Sequence, residues 1–289
     1  MEYFTPLSGS SAPDFSSSTL LLPQPSLASL AQLASDLIIH NFSLQRIGFL
    51  GLRDHIPAVS GSDGLPGQSS GGEGVSFSVE VFQTPSKSLT VVLPRSPVIR
   101  ARRPHYLDSM RKFIEVAGFK EVLIVASIDA ALRGDEGLNS STPLRYFLLP
   151  SASPTSLPLS TVSSPYSTST MTSESSSKPS IPIMPHSGLT RKLLESLSES
   201  SSSMPPISTI LIYTFETSET ETAFYLADAL STVLKKELEE LESSVERLSL
   251  EEAGEGQASR GIKWKTPRSW ETGLLGAGIG RETGTEMFG

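Results

Sequence analysis

The sequence predicts an α/β fold: a layered sandwich whose mostly parallel, partly mixed sheet is flanked by helices. Three observations predict it. Apolar runs of buried-strand type alternate with segments of helical period, as layered α/β domains require. One pair of strand-like runs is joined by a short turn, which adds an antiparallel element and makes the sheet mixed. Ser- and Pro-rich stretches interrupt the pattern, yet strand-like segments flank them, so residues 1–289 read as a single domain carrying insertions.

Thr19–Leu22 (TLLL), between a serine run and Pro23, is the first strand. Ser26–Asn41 is helical: Leu27, Leu30, Leu33, Ala34, Leu37 and Ile38 recur at three and four, with Ser26 placed to cap the start. Arg46–Leu52 (RIGFLGL) is a compact apolar strand. Residues 53–74 are rich in Gly, Ser and Pro and form a loop with a flexible insertion at about 60–74. In Val75–Phe82, Val75, Phe77, Val79 and Val81 alternate with Ser76, Ser78, Glu80 and Phe82. Ser88–Leu93 follows after Thr84–Lys87 (TPSK), whose Pro85 suits a turn, and the two runs form a hairpin. His105–Ala117 is the next helix, with Leu107, Met110, Phe113, Ile114 and Ala117 on one face and Gly118 at the C-terminal cap.

Glu121–Ser127 (EVLIVAS) is the strongest central strand. Arg145–Leu149 and Ser208–Thr214 (STILIYT) are further strands, and Thr190–Leu197 is a short helix. Between them, residues 151–180 are mostly Ser, Thr and Pro and cannot bury enough apolar surface to offset their ordering entropy. They are expected to be disordered, within a flexible insertion at 151–183; Ser196–Pro206 is a second serine-rich run. Glu221–Glu251 is a long helix opening near Ser218 with a capping-box Glu221. Ala227, Leu230, Leu234, Leu238, Leu241, Val245 and Leu248 form its apolar stripe. Over Phe224–Leu234 this stripe packs on the chain's own sheet. The acidic half, Glu237–Glu251, is either a solvated face or a partner contact.

Composition excludes several functions. The chain of 289 residues carries a net charge of −8, with no basic block to neutralise phosphates, so nucleic acid is not an expected partner. There is no cysteine, hence no disulfide, thiolate nucleophile or cysteine-ligated metal. The first residues lack the apolar run of a secretory signal, and no apolar stretch approaches membrane-spanning length. The expected setting is cytoplasmic, with the nucleus open as a second compartment, so Asn41 and Asn139 are chance glycosylation triplets.

No hydrolase elbow or phosphate loop is present, and His40, His55, His105 and His186 form no metal-binding pair. The expectation is no catalytic residue, no cofactor and no metal. Gly276–Gly280 (GAGIG) lacks the preceding strand and following helix that dinucleotide binding needs, and reads as a hinge before a flexible tail, 276–289. Asp129, Arg133, Asp135 and Glu136 follow a central strand, where α/β sheets gather ligands, but a solvated loop is the simpler reading; Arg145 is placed to pair with one of these carboxylates. Residues 260–276, RGIKWKTPRSWETGLLG, hold Trp264 and Trp270 around Pro267 and read as an ordered aromatic clamp.

That segment, together with Gln32–Ile39 (QLASDLII), Ile56–Gly61 (IPAVSG) and Ser141–Pro150 (STPLRYFLLP), resembles the proteasome assembly chaperone 2 family, in a fungal-type member. The resemblance covers most of the chain in order, apart from the serine-rich insertions and the acidic end of the long helix. It implies a non-enzymatic chaperone that pairs with proteasome assembly chaperone 1 as a heterodimer. The dimer would bind α-type subunits of the 20S proteasome and promote α-ring assembly. The alternative is an α/β enzyme or nucleotide-binding protein of unknown substrate. Some proteasome-binding proteins end in a hydrophobic residue, a tyrosine and any residue. Met287, Phe288 and Gly289 resemble that pattern with Phe288 in the tyrosine position, and are the expected partner-binding residues.

Overall fold

A computed structural model of the chain describes residues 3–7, 13–65, 75–133, 142–150, 153–166, 181–199, 204–215, 220–239 and 262–272. Its strands are β1 (Phe4–Pro6), β2 (Thr19–Pro23), β3 (Gln45–Leu50), β4 (Val59–Gly61), β5 (Val75–Phe77), β6 (Val79–Gln83), β7 (Leu89–Pro94), β8 (Glu121–Asp129), β9 (Leu144–Leu148), β10 (Ser164–Pro165) and β11 (Ile207–Thr214). The helices are α1 (Leu30–Asn41), α2 (Arg103–Ala117), α3 (Gly188–Ser198), α4 (Thr220–Val233) and α5 (Arg268–Thr272).

Among the described residues, nine strands form one sheet in the order β1-β3-β6-β7-β2-β8-β11-β9-β10. Its centre, β7-β2-β8-β11, is parallel. The β1-β3-β6-β7 wing is antiparallel, as is β9 against β11. The parallel strands are buried on both faces and therefore read as unbroken apolar runs. Alternate residues divide between two cores. Leu21, Leu123, Val125, Ile210 and Ile212 face α1 and α4, whereas Leu20, Leu22, Val122, Ile124 and Leu211 face α2 and α3. The α/β sandwich and its mixed sheet are thus as expected.

Several local expectations need correction or trimming. Ser26 does not cap α1; its Oγ donates to the Gln24 carbonyl and meets Ser127 Oγ at 2.9 Å. Ala28 and Ser29 take left-handed backbone, φ 55° and 53°, so regular α-helix begins only at Leu30. Val75–Phe82 is not one strand. Ser78 Oγ accepts from Ala58 N and donates to the Ile56 carbonyl, and at that point the chain passes from the small β4–β5 sheet into the main one. The loop expected to reach 74 is ordered to Leu65, which is buried.

The expectation of disorder over 151–180 fails for residues 153–166. Glu121, buried at the start of β8, accepts from Thr155 Oγ1 at 2.8 Å, from Ser156 N at 3.0 Å and from Ser156 Oγ. This carboxylate supplies the fixed point that the composition hides, and Leu157 and Leu159 then enter the core. Ile181 and Met184, inside the insertion expected to run to 183 and just beyond it, are also buried. Residues 167–180 lie outside the described residues, as do Ser218, residues 240–261, the hinge 276–280 and Met287–Gly289. The long helix turns at Leu234 and resumes over 235–239; its stripe through Leu238 does pack on the sheet.

Candidate functional site

The charged residues of the antiparallel wing converge on Asp36, one turn before His40 on α1. Asp36 is buried because α1 lies flat on the sheet, so even its polar side meets neighbours. Arg95, just past β7, donates from Nη2 to Asp36 Oδ1 at 3.3 Å and from Nε to Glu80 Oε2 at 2.7 Å. Glu80 points inward from β6, and its Oε1 takes Arg46 Nη1 at 2.5 Å. Signs alternate along the chain Asp36, Arg95, Glu80, Arg46, which is the arrangement buried charges require. Burial alone would raise the Asp36 pKa, but His40, Arg95 and the indole of Trp270 outweigh it and hold the carboxyl below its ordinary 3.8. Burial likewise opposes the Arg95 charge, yet Asp36 and Glu80 outweigh it and raise its pKa above the ordinary guanidinium value.

The C-terminal clamp closes over this network. Trp270 Nε1 donates to Asp36 Oδ2 at 3.2 Å, and the ring stacks on Phe224 of α4. Asn41 bonds Lys265 twice, Nδ2 to its carbonyl and Oδ1 from its N–H, each at 2.9 Å. Trp264 Nε1 donates to Asp228 Oδ1 at 2.7 Å. Asp63, two residues past β4, accepts from Ser269 N at 3.2 Å and from Ser269 Oγ. The segments QLASDLII and WKTPRSW therefore meet directly, and the strand that ends IPAVSG is tied to them through Asp63.

Beside the network lies an open cleft of about 440 Å³, lined in part by His40, Arg46, Asp63, Glu80, Phe82 and Arg95. Asp36, His40 and Asp63 each bring a ligand atom within 4.8 Å of the others, a spacing that suits a metal ion. The electrostatics do not suit one. The Arg95 guanidinium already occupies Asp36 Oδ1, and both carboxylates accept N–H or O–H groups from the clamp. The arrangement fastens the C-terminal segment to the domain; it does not offer a poised acid, base or ligand set.

The strand-end residues singled out from sequence are placed as follows. Asp129 Oδ1 accepts from Ala131 N at 2.8 Å and its other oxygen lies 3.0 Å from His186 Nδ1, so it is engaged in holding a turn. Arg145 Nη1 donates to the carbonyls of Thr142 and Leu144, at 2.6 and 2.8 Å. Arg133 and Arg145 both face the Tyr213 ring, at 5.0 and 5.4 Å. Asp135 and Glu136 lie outside the described residues. The same end of the sheet carries exposed apolar side chains. Leu132 follows β8, Phe215 follows β11, and Ile183 precedes Pro185, whose carbonyl accepts from Asp129 N; they are 61%, 59% and 61% exposed. Sequence reasoning missed both this apolar end and the Asp36–Arg95–Glu80 network. The available signal for the network was an acid set inside an apolar run, LASDLII and SVEVF.

Comparison with known proteins agrees with this architecture. The PAC2 family model matches residues 20–253. Bos taurus Proteasome assembly chaperone 2 is 32% identical over 144 residues, 50% of this chain and 54% of the relative. The Nematostella vectensis protein of the same name is 36% identical over 135 residues, 46% of this chain and 54% of the relative. The chain thus spans about half the length of the curated relatives it matches. Among solved structures, Pyrococcus furiosus PbaA, described as an archaeal homolog of proteasome-assembly chaperone, aligns with a TM-score of 0.51. It covers 86% of this chain and 92% of its own at 10% identity, a likeness of fold alone.

Proposed function

Because the chain belongs to the PAC2 family, we propose that it is a proteasome assembly chaperone that works by binding rather than by catalysis. It pairs with proteasome assembly chaperone 1, and the heterodimer holds α-type subunits of the 20S proteasome while the α ring forms. Its proposed setting is the cytoplasm, with the nucleus as a second location. The observation that carries this reading is the contrast between its internally paired buried carboxylates and its apolar sheet end. The buried carboxylates of Asp36, Asp54, Glu80 and Glu121 are all bonded to groups of the same chain. Leu132, Ile183 and Phe215 instead stand exposed around the strand ends, as an interface requires. The rival reading, an α/β enzyme or nucleotide-binding protein, needs convergent polar groups aimed at a ligand, and the described clusters are aimed at one another.

Co-expression with the partner chaperone, followed by size-exclusion chromatography, tests the proposal. The chain alone should self-associate, and should run as a monodisperse heterodimer with its partner. A stable monomer indifferent to the partner would sink the reading.

A further inference from the structure

Arg53, Arg100 and Arg103 gather on one exposed corner of the domain. His55 pairs with Val98 in an antiparallel bridge, and Ile56 N donates to the Pro97 carbonyl at 3.0 Å. Ile99 N donates to the Asp54 carbonyl at 2.8 Å, so residues 52–56 lie beside residues 97–103. Arg102 Nε closes the corner on Asp54 Oδ1 at 3.0 Å. The Asp54 carboxylate is buried, whereas Arg53 before it and the two arginines flanking the Arg102 turn stand in solvent. Leu52 and Ile56, on the same strip as Arg53, are exposed apolar side chains.

These three charges are unbalanced in a chain with acid to spare. It carries 31 Asp and Glu against 23 Lys and Arg. Yet none of Arg53, Arg100 and Arg103 has a carboxylate partner among the described residues. The acids of the same segments are already engaged. Asp54 accepts from the Tyr3 hydroxyl at 3.1 Å and faces Arg102 and His105. Asp108 holds Arg111 and Lys112 at 2.9 and 2.8 Å. The cations also stand where they cost stability. Arg103 opens α2, whose first turn holds no acid and whose N-cap, Arg102, makes no side-chain capping bond. A helix N-terminus is the positive end of the macrodipole, so cations there are unfavourable. Folds keep such local conflicts where binding requires them.

We propose that this corner binds an acidic peptide segment of a partner protein, with carboxylates on Arg53, Arg100 and Arg103 and an apolar side chain against Leu52 and Ile56. Guanidinium forks accept carboxylates two bonds at a time, which gives such a contact direction as well as charge. A nucleic acid suits the corner less well. Three cations neutralise few phosphates, and a chain of net charge −8 repels a long polyanion. No residue of the apolar strand ends or of the C-terminal tail takes part, so the site stands apart from the proteasome reading.

Titration of the purified full-length chain, in low salt, tests the site with fluorescent peptides of repeated Glu-Glu-Leu, repeated Gln-Gln-Leu and repeated Glu. Anisotropy should show saturable binding of Glu-Glu-Leu, none of Gln-Gln-Leu, and a loss of affinity as salt rises. Each of Arg53→Gln, Arg100→Gln and Arg103→Gln should weaken binding about two- to fivefold, and the triple variant about tenfold or more. Leu52→Ser with Ile56→Ser should remove the preference for Glu-Glu-Leu over repeated Glu. Arg103→Glu separates binding from folding: it should weaken binding further, while the melting midpoint holds or rises, because an acid suits the first helical turn. A labelled oligothymidine of equal length is the last probe. Absence of saturable peptide binding, equal binding by the triple variant, a lowered melting midpoint in Arg103→Glu, or tighter binding of oligothymidine than of the acidic peptide would each overturn the proposal.

Discussion

Trp270 Nε1 donates to Asp36 Oδ2 at 3.2 Å, joining α1 to a side chain 234 residues later in the sequence. The bond closes the domain: it couples the first helix to the last described turn and lies against the Phe224 ring on α4. A hydrogen bond to a buried carboxylate contributes about 1.5–3 kcal/mol. The ring, 2% exposed, contributes packing in addition.

Trp270→Ala should therefore destabilise the fold by about 3–5 kcal/mol. Trp270→Phe, which keeps an apolar ring but removes the N–H, should lose less. Chemical denaturation of the three chains measures both. Equal stability of all three would show that the segment is ornamental to the fold.

Acid should attack the same junction. The Asp36 pKa is depressed in the folded chain, below 3.8, although burial opposes the charge. Between the folded and unfolded values the unfolded chain binds more protons, so stability falls as pH falls. The Asp36 contribution is complete above the unfolded value and is lost as pH drops through the folded one. Asp36→Asn should be less stable at neutral pH, because Arg95 loses a partner, and should show a shallower acid limb. Unfolding midpoints measured from neutral pH down to about pH 3 decide this; parallel curves for the two chains would refute it.

The Ser/Thr-rich stretch makes a third test. Leu159 is buried beneath a turn that Glu121 holds through Thr155 and Ser156. Leu159→Ala should cost about 2–5 kcal/mol. Removal of 155–166 should lower the thermal midpoint further, since it also leaves Glu121 buried without its partners. A deletion chain that melts like the parent would return this segment to the status of a passive insertion.

Periodicity carries the parts of this fold that are set by local burial. Strand β8, helix α2 with its left-handed Gly118 cap, and the apolar stripe of α4 are all legible in that way. The aromatic clamp is legible too, because two tryptophans around a proline seldom stay exposed. The rest depends on contacts distant in sequence. Nothing local distinguishes 153–166 from a disordered run; its order comes from Glu121. Nothing local breaks Val75–Phe82 at Ser78; the break comes from Ile56 and Ala58. Strand β1 has only three residues, too few for a period, and its existence is written instead in the glycines opposite it. The Asp36–Arg95–Glu80 network escaped for the same reason: each acid looks like an interruption until its cation is placed beside it.

The last test concerns Met287–Phe288–Gly289, which lie outside the described residues. The proposal is that this tail enters a pocket between α-type subunits, with the Gly289 carboxylate as its charged anchor. The described clamp closes at Trp270, so removing the last three residues leaves every described contact of the clamp in place. Truncation should therefore leave the melting curve and the chaperone heterodimer unchanged while weakening binding to purified α rings. Phe288→Tyr should bind as well or better, because it restores a hydroxyl whose hydrogen bond is worth about 0.5–1.5 kcal/mol, roughly two- to tenfold in affinity. Equal binding by wild-type and truncated heterodimers would place ring contact on the folded body, where the exposed Leu132, Ile183 and Phe215 are the first side chains to substitute.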